Sequence, residues 1–468
     1  MSDSRLVVGP FNRVEGDLEV TLDVADGRVR QAHVTAPLYR GFERILRGRP
    51  PEDALVIAPR ICGICSVSQS TAAARALAAI AGVTPPPAGR LVADLVLAAE
   101  NAADHLTHFV LFFMPDFARA CYGGRPWHQR ARERFLAETG EAARRLLPAR
   151  ARLLHVMGLL AGKWPHTLAL QPGGVARGVD AGERVRLLAV LADVRAALEA
   201  ELYGDRLEAV AALDSADALA AWAEAHSGGD FALFLAIAGD LGLERLGRGP
   251  AAFLSAGSFG LWPGGTVIAG VPHPYDPALV AEDLTHAWMA DAVRPDADKD
   301  GAYTWCKAPR LAGRPVEVGA LARQVVAADP LALALVGAGG ATVRDRVVMR
   351  LVELARLLIA METWTRALPP GAPVCVESPL PLRGTGTGLV EAARGTLIHR
   401  LTLDGGAIAD YAIIAPTTWN FSPRDASGIP GPLEQALAGT PVEPGETSPV
   451  AVQHVVRSFD PCMACTVH

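Results

Sequence analysis

Two cysteine pairs, Cys62-Gly63-Ile64-Cys65 and Cys462-Met463-Ala464-Cys465, constrain this chain more than any other feature, because 400 residues separate Cys62 from Cys462. Four thiolates in two Cys-x-x-Cys units can enclose one soft transition metal. A structural zinc site also favours such pairs, but its pairs usually lie close together and staple a small loop-rich unit. Pairs at opposite ends of a long chain place any shared metal at the centre of a prefolded body instead. On spacing alone, zinc, a dithiol redox pair and a redox-active metal all stay open.

Composition narrows the class. Half of the 468 residues are apolar, enough for a sizeable core. The 44 basic and 50 acidic residues give a net charge of −6, which leaves no positive excess for gripping nucleic acid. Apolar runs are cut before they reach membrane-spanning length: Phe231 to Gly239 by Asp240, and Pro330 to Ala341 by its glycines. The N-terminus, Met-Ser-Asp-Ser-Arg, leads into a strand-like run rather than an export signal, so a cytoplasmic location is expected. Seven cysteines, an odd number in a long chain, point to metal or thiol chemistry rather than a disulfide scaffold. Cys121, Cys306 and Cys375 stand singly and are expected to be buried structural residues.

The pattern along the chain is β, then mostly α, then β, then a short α tail. Leu18 to Val24 and Val29 to Thr35 alternate around Asp26-Gly27, a hairpin signal. From Thr71 to about Ala367 apolar residues recur at helical spacing, most clearly over Arg90–Phe113, Glu183–Leu202 and Arg344–Leu368. A second hairpin is expected from Leu397–Leu403, Asp404-Gly405-Gly406 and Ile408–Ala415. The expected fold is mainly α: a large helix-bundle body with small β hairpins or sheets near the N-terminus and in the C-terminal part. No linker divides it, so 1–468 is expected to be one domain: an N-terminal β region (1–50), a helical body with the first cysteine pair (51–375) and a C-terminal β region with the second (376–468).

The residues around the cysteines settle the choice of metal. Arg60-Ile61-Cys62-Gly63-Ile64-Cys65 and Asp460-Pro461-Cys462-Met463-Ala464-Cys465-Thr466-Val467-His468 match the two signature motifs of nickel-iron hydrogenase large subunits, which this chain resembles from end to end. Further family segments follow in order: Phe11-Asn12-Arg13-Val14-Glu15-Gly16, Arg40-Gly41-Phe42-Glu43, Trp305-Cys306-Lys307-Ala308-Pro309-Arg310, Glu391-Ala392-Ala393-Arg394-Gly395 and Pro416-Thr417-Thr418-Trp419-Asn420. The resemblance implies that Cys62 and Cys462 bind nickel terminally while Cys65 and Cys465 bridge nickel to an iron carrying one carbon monoxide and two cyanides. It also implies heterolytic splitting of H2.

Such a reaction needs a base near the metals. By resemblance Cys462 is the first proton acceptor and Glu15 the next. Arg394 is a base or electrostatic clamp at the site and a donor to one cyanide, paired with Asp104 and Asp460. Thr417 is the donor to the other cyanide, and Ala393 stands where the family usually has a proline, which removes a rigid backbone position before Arg394. Glu43, the carbonyl of Ile413 and the terminal His468 match the family's magnesium ligands. His105 and His108 are expected to be hydrogen-bonded core residues. Read alone, Glu15 would be a solvated or salt-bridged strand-end residue, Glu43 a helix-start carboxylate and Arg394 a surface arginine after a strand.

Gln69 narrows the resemblance further. It stands where most hydrogenases have a histidine, and it cannot titrate. That substitution resembles the regulatory, hydrogen-sensing group, which signals to a histidine kinase; those proteins are made without a C-terminal extension, which favours the sensor if His468 is the last encoded residue, while a mature processed chain would end in the same way. The alternative is a respiratory uptake hydrogenase. Either role requires an iron-sulfur small subunit, in a heterodimer or a dimer of heterodimers, because no cysteines remain here in cluster-binding spacings. The related quinone-site subunit of respiratory complex I has lost the metal-binding cysteines, and they are present here.

Overall fold

The alternation of apolar residues around Asp26-Gly27 produces the expected hairpin. In the computed structural model, which describes residues 4–468, strands Ser4–Val8, Glu19–Ala25 and Arg28–Thr35 form an antiparallel sheet. Leu22 lies opposite both Leu6 and Ala32 in this sheet. One face is apolar and buried, with Val20, Leu22 and Val34 fully enclosed.

The three strongest helical signals become long helices, Pro87–Thr107, Ala181–Ala197 and Val343–Ala367. Two of them begin where capping boxes close their first turns, Asp180 with Glu183 and Thr342 with Asp345. Together with Glu141–Ala161 they pack on one another around a continuous apolar core. Helix does not fill the whole span from Thr71 to Ala367, however. Between Ala252 and Leu311 the chain forms short strands and irregular loops, because Gly257, Gly260, Pro263, Gly264 and Gly265 break any helix there. Among the described residues no helix is long and apolar enough to cross a membrane.

The C-terminal hairpin also forms, as Gly395–Asp404 and Ala407–Ile414, but it is part of a three-stranded antiparallel sheet with Gly384–Ala392 at the other side. That extra strand begins Gly384-Thr385-Gly386-Thr387-Gly388, with glycine at every second position. Its glycine face lies against the helix Ser66–Ala81. A Cβ on Gly386 would sit 2.1 Å from the Ala76 carbonyl oxygen, and one on Gly388 would sit 1.9 Å from that of Ala72. Helix and sheet therefore touch backbone to backbone, and the helix that starts directly after Cys65 is pinned to the sheet. Gly388→Ala is expected to destabilise the chain by about 3 kcal/mol or more, since the opposing atoms are backbone and cannot repack. A thermal melt of the purified protein checks this.

Candidate metal centre

Both cysteine loops are built so that their sulfurs meet. Cys65 stands at the start of the helix Ser66–Ala81, and the buried carboxylate of Glu100 secures that end: it accepts from the backbone N–H groups of Val67 (2.8 Å) and Ser68 (2.9 Å), the Ser68 hydroxyl (2.8 Å) and the Trp164 indole (3.2 Å). Burial still pushes the Glu100 carboxyl up to about 7. On the other side, Asp460 adopts a left-handed backbone (φ 57°) and turns the chain toward Cys462. Arg40 clips the two loops together by donating to the carbonyls of Ile61 and Ala464.

The result is four sulfurs within 4.8 Å of one another, three of the four residues buried and Cys65 nearly so. Sγ–Sγ distances are 3.5 Å for Cys62–Cys462, 3.0 Å for Cys65–Cys465 and 3.3 Å for Cys462–Cys465. Four soft donors converging on one point fit a thiolate-bound metal centre. Neighbouring thiols that bond to the Cys62 sulfur draw its pKa well below the usual range, and the same bonds together with burial push those of Cys65 and Cys465 well above it. The remaining cysteines lie elsewhere. Cys306 is buried as expected, and burial holds its thiol far above the ordinary range, whereas Cys121 and Cys375 are exposed, contrary to expectation. Cys121 sits in the single 3₁₀ turn Ala120–Tyr122, and Cys375 at an isolated bridge to Gly174.

Glu15 is tied to this centre through its backbone. Its N–H donates to the Pro461 carbonyl (3.4 Å) and its own carbonyl accepts from Met463 N–H (2.7 Å), so Glu15 pairs with Cys462 like neighbouring strands. Gly16, at φ +80°, permits this approach, since a Cβ there would lie 3.0 Å from the Ala464 nitrogen. Glu15 is half-buried, and burial, with the charge of Cys62 adding to it, raises its carboxyl pKa against Arg394 and Arg40.

Arg394 lies in the two-residue turn between Ala392 and Gly395 and is buried, not on the surface. Its Nη2 donates to Asp104 (2.9 Å), and its Nε donates to the Asp460 carbonyl (3.0 Å) and lies 3.1 Å from the Asp460 carboxylate. Burial acts against this cation, and Asp104 and Asp460, with the charges of Cys462 and Cys65, outweigh it. Burial pushes the Asp104 carboxyl up to about 8. For Asp460, burial is outweighed by Arg394, with His108 and Arg350, so that it is held at about 2. Without a proline at Ala393, the turn is held by Arg323, a residue that no sequence motif marked. Its guanidinium donates to the carbonyls of Ala392 (2.8 Å) and Ala393 (3.2 Å) while pairing with Glu353 (2.5 Å) and Glu391 (2.7 Å), all fully buried. His105 and His108 are core residues bonded to Glu353 (2.9 Å) and to the Arg457 carbonyl (2.7 Å). Thr417 Oγ1 accepts from Cys462 N–H (3.3 Å), which leaves its hydroxyl proton free.

At the tail, His468 Nδ1 faces the Cys465 carbonyl (3.0 Å) while Nε2 faces the Ile413 carbonyl (2.8 Å) and lies 3.6 Å from the Glu43 carboxylate. With Nδ1 as the donor to one carbonyl, Nε2 opposite a second acceptor calls for another proton or a cation. Adjacent ligands of an octahedral magnesium lie about 3 Å apart, and the two distances from Nε2, 2.8 and 3.6 Å, bracket that spacing. Two partners escaped the sequence reading in part. Lys307 Nζ reaches Glu43 (3.1 Å) and Glu282 (3.0 Å), and burial of Glu43 is outweighed by Lys307 and His468, which hold its carboxyl at about 2. Lys307 lies in a quoted motif, but nothing signalled Glu282.

Comparison with known proteins identifies the family. The pattern of the family described as Nickel-dependent hydrogenase matches residues 40–120 and 144–468. The chain is 30% identical to the periplasmic [NiFeSe] hydrogenase large subunit of Desulfomicrobium baculatum, over 99% of this chain and 95% of that one. It is 28% identical to the uptake hydrogenase large subunit of Bradyrhizobium diazoefficiens, over 100% and 95%. Among solved structures, the reduced Ni-Fe-Se hydrogenase of D. vulgaris Hildenborough superposes with a TM-score of 0.83 at 28% identity, covering 100% of both chains. With four cysteines gathered from the two ends of its sequence, this chain belongs to the nickel-dependent hydrogenase family, as the large subunit of such an enzyme.

Proposed function

We propose that this chain binds a nickel-iron centre on Cys62, Cys65, Cys462 and Cys465 and serves in H2 uptake, with electrons leaving through an iron-sulfur small subunit. In this reading Cys62 and Cys462 would hold nickel, and Cys65 and Cys465 would hold both nickel and an iron that would carry one carbonyl and two cyanides. That centre, when bound, supplies heterolytic cleavage of H2. The chain's own part is to take the proton and fix the surroundings. Cys462 Sγ accepts the proton first and the Glu15 carboxylate second, a role suited to a half-buried acid whose pKa is raised. Arg394, aimed by Asp104 and Asp460, holds positive charge beside Cys462 and Cys65 and donates to one cyanide; the free hydroxyl proton of Thr417 serves the other, and Ala393 completes the backbone of that pocket. Glu43, Ile413 and His468 hold magnesium. The observation that carries the reading is the meeting of four sulfurs beside the backbone of Glu15.

The uptake role follows the names of relatives such as the Bradyrhizobium protein. A second reading, an H2 sensor that signals to a histidine kinase, is favoured by Gln69, buried with its Nε2 3.9 Å from Cys465 Sγ. A cytoplasmic location fits the sensor, while the periplasmic name of the Desulfomicrobium relative points the other way.

H2-dependent dye reduction by the purified heterodimer tests the proposal. Fast turnover is expected, and Glu15→Gln, with its nickel retained, is expected to lower it by about 10²- to 10⁴-fold. Slow turnover in the unaltered protein would favour the sensor, and an unimpaired Glu15→Gln variant would remove Glu15 from the proton route.

A further inference from the structure

The side-chain amide of Gln69 can present either a donor or an acceptor to the Cys465 sulfur, and its two ends have nearly the same shape. What decides between them is the partner at the other end. Gln69 Oε1 lies 2.7 Å from His399 Nε2, and His399 Nδ1 lies 2.8 Å from the Tyr411 hydroxyl. All three residues are buried. His399 stands on the strand Gly395–Asp404 and Tyr411 on Ala407–Ile414, diagonal neighbours across the ladder, with their rings edge to face at 5.5 Å.

We propose that His399 and Tyr411 are positioning residues that fix the direction of the Gln69 amide, so that its N–H, and not its carbonyl, faces Cys465.

The ring is fully buried and each of its nitrogens faces an uncharged partner, so the imidazole is neutral. It therefore offers one donor and one acceptor. If the Tyr411 O–H donates to Nδ1, the ring proton sits on Nε2 and must go to Gln69 Oε1, which leaves the amide N–H for the sulfur. Every polar hydrogen of the chain then has an acceptor. In the reverse arrangement Nδ1–H donates to the Tyr411 oxygen, the buried tyrosine proton has no acceptor, and the Gln69 carbonyl faces an electron-rich sulfur. Both faults oppose it. The chain of bonds thus runs one way, from phenol through imidazole and amide to Cys465, and an N–H aimed at a thiolate draws electron density from it. This inference rests on the reading of Cys465 as a metal ligand.

Neutron diffraction from crystals of the metal-loaded heterodimer tests the direction without any substitution. Deuterium is expected on His399 Nε2 and absent from Nδ1, with the deuterated amide nitrogen of Gln69 toward Cys465. Deuterium on Nδ1 with the Gln69 carbonyl toward the sulfur overturns the proposal. Infrared spectra test the consequence. The iron-carbonyl band is expected to shift in Gln69→Leu and to shift in the same direction in Tyr411→Phe, at equal nickel content. A band that moves in Gln69→Leu and stays fixed in Tyr411→Phe also overturns it. If a variant fails to take up metal, the neutron result decides alone. Absence of nickel and iron from the unaltered heterodimer would instead overturn the proposed function.

Discussion

Serine in place of Cys65 or Cys465 is expected to take the chain from about one nickel per molecule to none, because a serine hydroxyl stays protonated at neutral pH and is a hard donor where the site needs a soft, charged one. The 3.0 Å between these two sulfurs makes them parts of one site, so losing either opens it. The same substitution at Cys121 is expected to leave nickel content unchanged, since that residue is exposed and outside the cluster. Elemental analysis of the three purified variants provides the comparison. A Cys121→Ser protein without nickel would contradict the ligand assignment.

Removing the cation from the buried ion cluster is expected to have the second largest effect. Arg394→Met leaves Asp104 and Asp460 enclosed without their counter-charge, at a cost of about 3–5 kcal/mol. The pH dependence has a definite sign. Arg394 is the largest charge holding both carboxyls down, so without it the folded-state pKa of Asp460 rises and that of Asp104, already raised by burial, rises further. Groups shifted in that direction stabilise the fold below the unfolded pKa and lose that contribution as pH rises through the folded one. The variant is therefore expected to melt closer to the parent protein near pH 5 than near pH 8. Arg394→Lys restores a charge but not the geometry that spans Nε and Nη2, so stability is expected to recover more than H2 turnover. Melting curves at the two pH values, with turnover of the lysine variant, check both statements.

Much of the fold was legible because its signals are local. Asp26-Gly27 and Asp404-Gly405 mark turns between alternating strands, and apolar residues at helical spacing mark Glu183–Leu202 and Arg344–Leu368. The strand Gly384–Ala392 was not legible: the glycines that let it touch a helix backbone also remove the apolar alternation by which strands are read. The loops between Ala252 and Leu311 were hidden in the same way, by apolar residues whose glycine and proline neighbours matter more than their spacing. At the candidate site, motifs spread along the chain marked Glu15, Glu43, Arg394 and Thr417 as well as the cysteines. The supports were silent. Arg323 acts through Glu353, 30 residues away, and Glu391, 68 away, while His399 acts on Gln69 across 330 residues. Each looks like an ordinary helix or strand residue until the fold brings its partners to it. The exposed Cys121 and Cys375 show the opposite error, since a lone cysteine carries no signal of its surroundings.

Metal analysis together with infrared spectroscopy of the purified heterodimer tests the central claim most directly. The account predicts nickel and iron in the large subunit, with infrared bands from one carbonyl and two cyanides. Zinc held by the four cysteines, with no such bands, would contradict it.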